Sequence, residues 1–126
     1  MTSAAGRSAV ALRVWARGDL ALEATVALLL GGGGSLVEGP WVRPGSFGAF
    51  WFDADTASAE CGHLSGGERR VLAIAASLAS ANHPVDLGDA VTGLDPAALR
   101  CVLDAMAHAG GLRDLRSATR DHHEPR

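Results

Sequence analysis

In this 126-residue chain the residues best equipped for chemistry are Ser65-Gly66-Gly67-Glu68 and, further along, Gly93-Leu94-Asp95-Pro96. A hydroxyl followed by two glycine amides can meet a phosphate, and a carboxylate nearby can orient water or a cation. Gly31 to Gly34 and Ser35 follow an apolar run, Val26 to Leu30, much as a phosphate-binding loop follows a strand. Such a loop needs a lysine to reach the β and γ oxygens. None can be supplied, because all 11 basic residues are arginine. Asp53 and Asp55, two apart, would share a face on a strand and could hold a cation or act as a catalytic pair; a solvated turn is the alternative. Cys61-Gly62-His63 offers two ligands where a structural zinc needs four. His122-His123, between Asp121 and Glu124, could capture a metal from a polar tail. Ser35, Ser65 and Ser77 lack the Gly-x-Ser-x-Gly elbow of a serine hydrolase. The sequence therefore assigns no catalytic residue, no metal site and no cofactor, and points to a protein that is not an enzyme.

Leu64 to Arg70 and Gly93 to Leu99 together resemble the signature sequence and D-loop of ABC-type ATPases. The resemblance covers residues 64–99, little more than a quarter of the chain. It implies that Ser65, Gly66, Gly67 and Glu68 would contact nucleotide phosphate presented by another chain. That family ends a buried strand in Asp-Glu for Mg²⁺ and the attacking water, and here those positions fall on Gly88 and Asp89, with Asp86 interrupting the strand. What the resemblance supports is a degenerate nucleotide-binding half-domain lacking the Walker A loop. The same strings also read as helix punctuation. Ser65 followed by Glu68, just ahead of Val71, Leu72, Ile74, Ala75, Leu78 and Ala79 at helical spacing, is a capping box. Asp95-Pro96 is a second start, with Asp95 as N-cap and Pro96 at the first helical position.

The elements around these residues follow from periodicity and breakers. Residues 1–8 read as a flexible start, and Ala9 to Trp15 as a strand on the alternation of Val10, Leu12 and Val14. Leu20 to Leu30 is ambiguous by pattern, but its Ala, Leu and Glu content favours a helix behind a capping Asp19, with Arg17-Gly18-Asp19 as the turn. Gly31 to Gly34 is a flexible loop. Trp41 to Arg43 and Gly48 to Phe52 are expected to pair as an aromatic hairpin. Asp53 to Asp55 opens a small-residue linker to Cys61, and a long helix runs from Ser65 to about Ala81, ended by His83-Pro84. Val85 to Thr92 reads as a short helix, Gly93-Leu94 as a turn and Pro96 to His108 as the last helix. Leu99, Val102, Leu103 and Met106 line one side of it, and Gly110-Gly111 give a left-handed C-cap.

Composition bounds the rest. Hydrophobic content of 48% and 126 residues suit one globular domain over 9–112 with a polar tail at 113–126. A net charge of −3 and a pI near 5.9 argue against nucleic-acid or anionic-membrane binding. The trihelical outline of the carboxy-terminal half also fits a helix-turn-helix, but Pro96 to His108 offers Ala97, Ala98, Arg100, Asp104 and His108 outward, one arginine against one aspartate. Cys61 and Cys101 are isolated thiols, which favours a reduced, cytoplasmic setting, and no export signal or membrane span is evident. The order of aromatic hairpin, Leu64 to Glu68, Val85 to Ala90 and the closing helix resembles small uncharacterised proteins of actinobacteria across most of the chain. Twenty-four alanines and the absence of lysine fit a GC-rich genome of that kind. The expectation is a mostly helical α+β domain with a short aromatic β-hairpin and a three-helix carboxy-terminal half. Its expected role is that of a non-catalytic interaction or accessory module for an unknown protein partner. Trp41, Phe50, Trp51 and Phe52 form the candidate interaction patch, since aromatics beside a glycine-rich loop can anchor a partner.

Overall fold

Helix α2 (Leu20–Gly31) is apolar around most of its circumference, Glu23 apart, so it has to be covered on most sides, and the rest of the chain is arranged around it. The computed structural model describes residues 4–31 and 35–112. In chain order the elements are α1 (Ala4–Ala16), α2, β1 (Val42–Pro44), β2 (Phe50–Phe52), α3 (Ala54–Ala59), α4 (Gly66–Ala79), α5 (Leu87–Thr92) and α6 (Pro96–Ala109), with short 3₁₀ turns at Ser35–Glu38 and Ser46–Gly48. This is a mostly helical α+β domain with one antiparallel hairpin. Helices α1, α4 and α6 all pack on α2. Thr25 at its centre is fully buried and donates its hydroxyl to Ala21 O at 3.0 Å and, across to α4, to Ala75 O at 3.2 Å.

Two segments depart from the sequence expectations, and both departures go toward helix. Ala9 to Trp15 is not a strand but the body of α1, which begins at Ala4, inside the segment expected to be flexible. Its alternating valines mislead because Val10 and Val14 lie one helical turn apart and face solvent, while Leu12 and Ala16, also one turn apart, are buried. The stretch after Asp53 is not a linker: α3 runs from Ala54 to Ala59, capped by Asp53, whose carboxylate accepts from the Asp55 and Thr56 amides. Asp53 and Asp55 therefore sit at a helix start rather than on one strand face. Gly31 closes α2, and the rest of the expected glycine loop, 32–34, lies outside the described residues, as do the tail at 113–126 and its paired histidines.

The carboxy-terminal half follows the punctuation closely. At α4, Ser65 accepts from the Glu68 amide at 3.2 Å and Glu68 accepts from the Ser65 amide at 3.0 Å. Asp86 caps α5 and Asp95 caps α6 at 2.7 Å, with Pro96 in the first turn. The end of α6 is a Schellman motif: the Gly111 amide donates to His108 O, the Leu112 amide to Ala107 O, and Gly111 carries the positive φ of 84°. The apolar face of α6 is only partly the one expected, with Val102 and the half-buried Leu99 inward as read and Leu103 and Met106 not. Val102 and Ala105 are buried with Ala98, Cys101 and Ala109 beside them, whereas Leu103 (46%) and Met106 (40%) are exposed. Small side chains win that face because they let α6 lie close against α2.

The hairpin pairs Val42 with Phe52, Arg43 with Trp51 and Pro44 with Phe50. Its inner face, Val42, Phe50 and Phe52, meets the core, and its outer face carries Arg43 and Trp51. Neither edge invites pairing: Val42 already donates to Gly39 O, Pro44 has no N–H, and α1 lies against β2.

Candidate functional site

The four aromatics expected to form one patch are divided by the hairpin between core and surface. Trp41 is fully buried, with its indole N–H donating to Leu36 O at 2.7 Å and its ring stacked on His63 at 6.0 Å between centroids. Phe52 is buried, Phe50 half-buried, and only Trp51, 39% accessible, belongs to the outer surface. Sequence reasoning missed the most exposed aromatic of all. Phe47, at the tip of the hairpin, is fully exposed and takes a left-handed backbone conformation with φ 57°. Its signal was present in Gly45-Ser46-Phe47-Gly48, where glycines and a serine around the phenylalanine mark a turn at the surface.

The hairpin is tied to the helices through its carboxylates. Asp53 sits beside Arg43 at 4.0 Å and accepts from the Thr56 hydroxyl at 2.8 Å. Burial opposes ionisation of Asp53, but the Thr56 hydroxyl, the Thr56 and Asp55 amides and the Arg43 charge together hold its pKa below the ordinary aspartate value. Asp55 points away and meets His83 Nε2 at 2.7 Å, pinning α3 to the loop after α4.

The two strings read as signature-like and D-loop-like are brought together in space. Ser65, Gly67 and Glu68 face Asp95, Ala97 and Ala98 across a cleft of about 390 Å³, with Gly31, Leu36, Val71 and Cys101 completing its lining. Arg70 of the first string lies over Gly93 of the second, so closely that a β-carbon there would collide with the guanidinium. Yet the polar groups of the cleft are engaged locally, Ser65 and Glu68 with each other and Asp95 with the Ala98 amide. Between the strings, residues 80–86 form a loop and α5 follows as a short surface helix with Leu87 exposed. No buried strand separates the two strings.

Cys61 and His63 do not converge: the thiol lies 3.8 Å from Ser58 O, while His63 stacks on Trp41. Among the described residues no group of three or more His, Cys, Asp or Glu is placed to hold a metal ion, and no helix is long and apolar enough to cross a membrane.

A further groove was not foreseen. It runs between α1, α2 and α6 with a volume of about 630 Å³. Glu23 and His108, 85 positions apart, meet at 2.7 Å on its wall, and Glu23 also accepts from the Gly18 amide at 3.0 Å. The hydrogen bond from His108, then that from Gly18, holds the Glu23 pKa below the ordinary glutamate value. Compared with known proteins, the chain matches no family model, no curated protein and no solved structure.

Proposed function

We propose that this protein is a non-catalytic interaction module that engages a protein partner through the outer face and tip of its aromatic hairpin. The observation that carries this reading is Phe47, a fully exposed phenylalanine held in a left-handed backbone conformation. A bulky side chain rarely adopts that conformation, and strain of this kind, about 1–3 kcal/mol, persists where surrounding structure enforces it and function uses it. Trp51 and Arg43, cross-strand neighbours on the outer face, extend the patch with two residue types that recur at binding hot spots. Trp41 and Phe52 serve this reading from beneath, as the core on which the hairpin rests.

The experiment is site-specific photo-crosslinking in cells of the source organism, with the crosslinker at position 47 and, as a control, at the exposed Asn82. A discrete protein adduct at 47 that disappears on Trp51→Ser supports the reading. Adducts at 47 that match those at 82, or that survive Trp51→Ser, refute it.

The convergence of Ser65 and Asp95 on one cleft favours a second reading, a degenerate ABC-type half-domain whose Ser65, Gly66, Gly67 and Glu68 meet nucleotide held by another chain. It predicts a rise in melting temperature with Mg-ATP that Ser65→Ala removes, because a ligand bound only to the folded state stabilises it by mass action. A flat titration would leave Ser65 and Glu68 as helix caps. A helix-turn-helix function has less support, since Leu103 and Met106 rather than polar side chains dominate the exposed face of α6.

A further inference from the structure

We propose that the groove between α1, α2 and α6 is a binding site for a small amphipathic carboxylate of the medium-chain fatty-acid type. Its floor is apolar, built from Val26, Ala27 and Leu30 of α2, with Ala16 and Ala105 from the flanking helices. Its volume of about 630 Å³ lies within the range of small-molecule sites, which commonly form between packed helices.

Charge on the rim chooses the ligand. Arg13, in the last turn of α1, and Arg17, in the turn that follows the helix, lie four residues apart on the rim, both exposed, and among the described residues neither lies within ion-pair distance of a carboxylate. Two guanidinium groups at that spacing suit a carboxylate, which accepts charge-assisted hydrogen bonds from both. Of the two acids on the wall, Glu23 is already committed to His108 and to the Gly18 amide. Asp104 is the remaining opposing charge, and it sets the sign of a second prediction. The antiparallel run of α2 and α6, fixed by the Glu23–His108 contact at one end and by Gly31 against Cys101 at the other, gives the groove its length. The apolar body of the ligand would lie along it toward Leu30 and Cys101.

The test is isothermal titration of the full chain with decanoate, decanol and decylammonium, each below its micelle concentration. Decanoate is expected to bind saturably at one site. Replacing both arginines, Arg13→Ala with Arg17→Ala, should weaken it by about tenfold or more, and Asp104→Asn should tighten it severalfold. Ala27 is exposed, so Ala27→Met keeps the fold and should block the floor. Decanol binding as well as decanoate, unchanged binding in the double arginine variant, or only unsaturable detergent-like uptake would each overturn the proposal. The hairpin reading stands or falls separately, because Phe47 and Trp51 line no part of this groove.

Discussion

Trp41 shows why an aromatic residue cannot be placed by type alone. Its ring is packed against Gly39 so closely that any β-carbon there would overlap the indole, and its N–H has a buried acceptor in Leu36 O. Trp41→Phe should remove the shorter of the two hydrogen bonds to that carbonyl, which keeps only the Gly39 amide, and open a cavity beside it, lowering stability by about 1–3 kcal/mol in denaturant unfolding. Gly39→Ala should be at least as damaging, and Phe47→Ser and Trp51→Ser should be nearly neutral. Were Trp41→Phe as mild as Trp51→Ser, the assignment of one ring to the core and the other to the surface would be wrong. Glu23 makes a different prediction at this scale. A carboxyl whose pKa is lowered on folding stabilises the native state above its unfolded pKa, and that contribution disappears as pH falls through the depressed native value. The difference in melting temperature between the wild type and Glu23→Gln should therefore be largest at neutral pH and shrink on acidification below the ordinary glutamate range. Asp53, lowered by its hydrogen bonds to α3 and by Arg43, should behave in the same sense. A gap that widened in acid would contradict both assignments.

The helices of the carboxy-terminal half, whose starts carry side-chain caps, were legible in the sequence; α1, and α3 despite its cap, were not. Ser65 with Glu68, Asp86, and Asp95 with Pro96 announce α4, α5 and α6, because each cap satisfies amides that have no partner inside the helix. Gly110-Gly111 marks the end of α6 for the same reason at the other terminus, although the left-handed residue is Gly111 alone. Helix α1 has no acidic residue in its first turn, and its alternating valines imitate a strand. Asp53 would have announced α3, had it not seemed to belong to a pair with Asp55. On α6 the pattern allowed two faces, and only the proximity of α2 selects the alanine side over Leu103 and Met106. The patch was half legible: type found the aromatics, but inward and outward positions depend on a strand register that burial sets. The capping box gives a direct test at this scale. Ser65→Ala and Glu68→Ala should each lower stability by about 1 kcal/mol, and the double variant by less than their sum, since one bond pair is shared. Strict additivity in chemical denaturation would show that the two caps act independently. Neither change should affect the crosslink from position 47, which separates the helix start from the proposed interaction face.

At the scale of the whole molecule, α2 decides whether the chain folds as one unit. It contacts α1, α4, α6 and the turn at Ser35–Glu38, and it contributes Ala24, Thr25, Val26, Leu28 and Leu29 to the core. The hairpin joins that core through Trp41 and Phe52, so helices and hairpin share one cluster of buried side chains. A domain wired through one central helix should unfold in a single step, with the hairpin and the carboxy-terminal helices lost together. Leu28→Ala, which empties volume at the fully buried centre of α2, should cost about 2–5 kcal/mol, a large part of the 5–15 kcal/mol typical of a small domain. The decisive readout is hydrogen exchange under native conditions. In the wild type the slowest amides of α4, α6 and β2 should share one opening free energy, and Leu28→Ala should reduce all three by the same amount. If β2 kept its protection while α4 and α6 lost theirs, the hairpin would be an independently stable unit, and the proposed interaction face could be studied without the helices. Equal loss would mean that any partner holding Phe47 and Trp51 also stabilises the helices around α2, because binding the hairpin would then be binding the folded state.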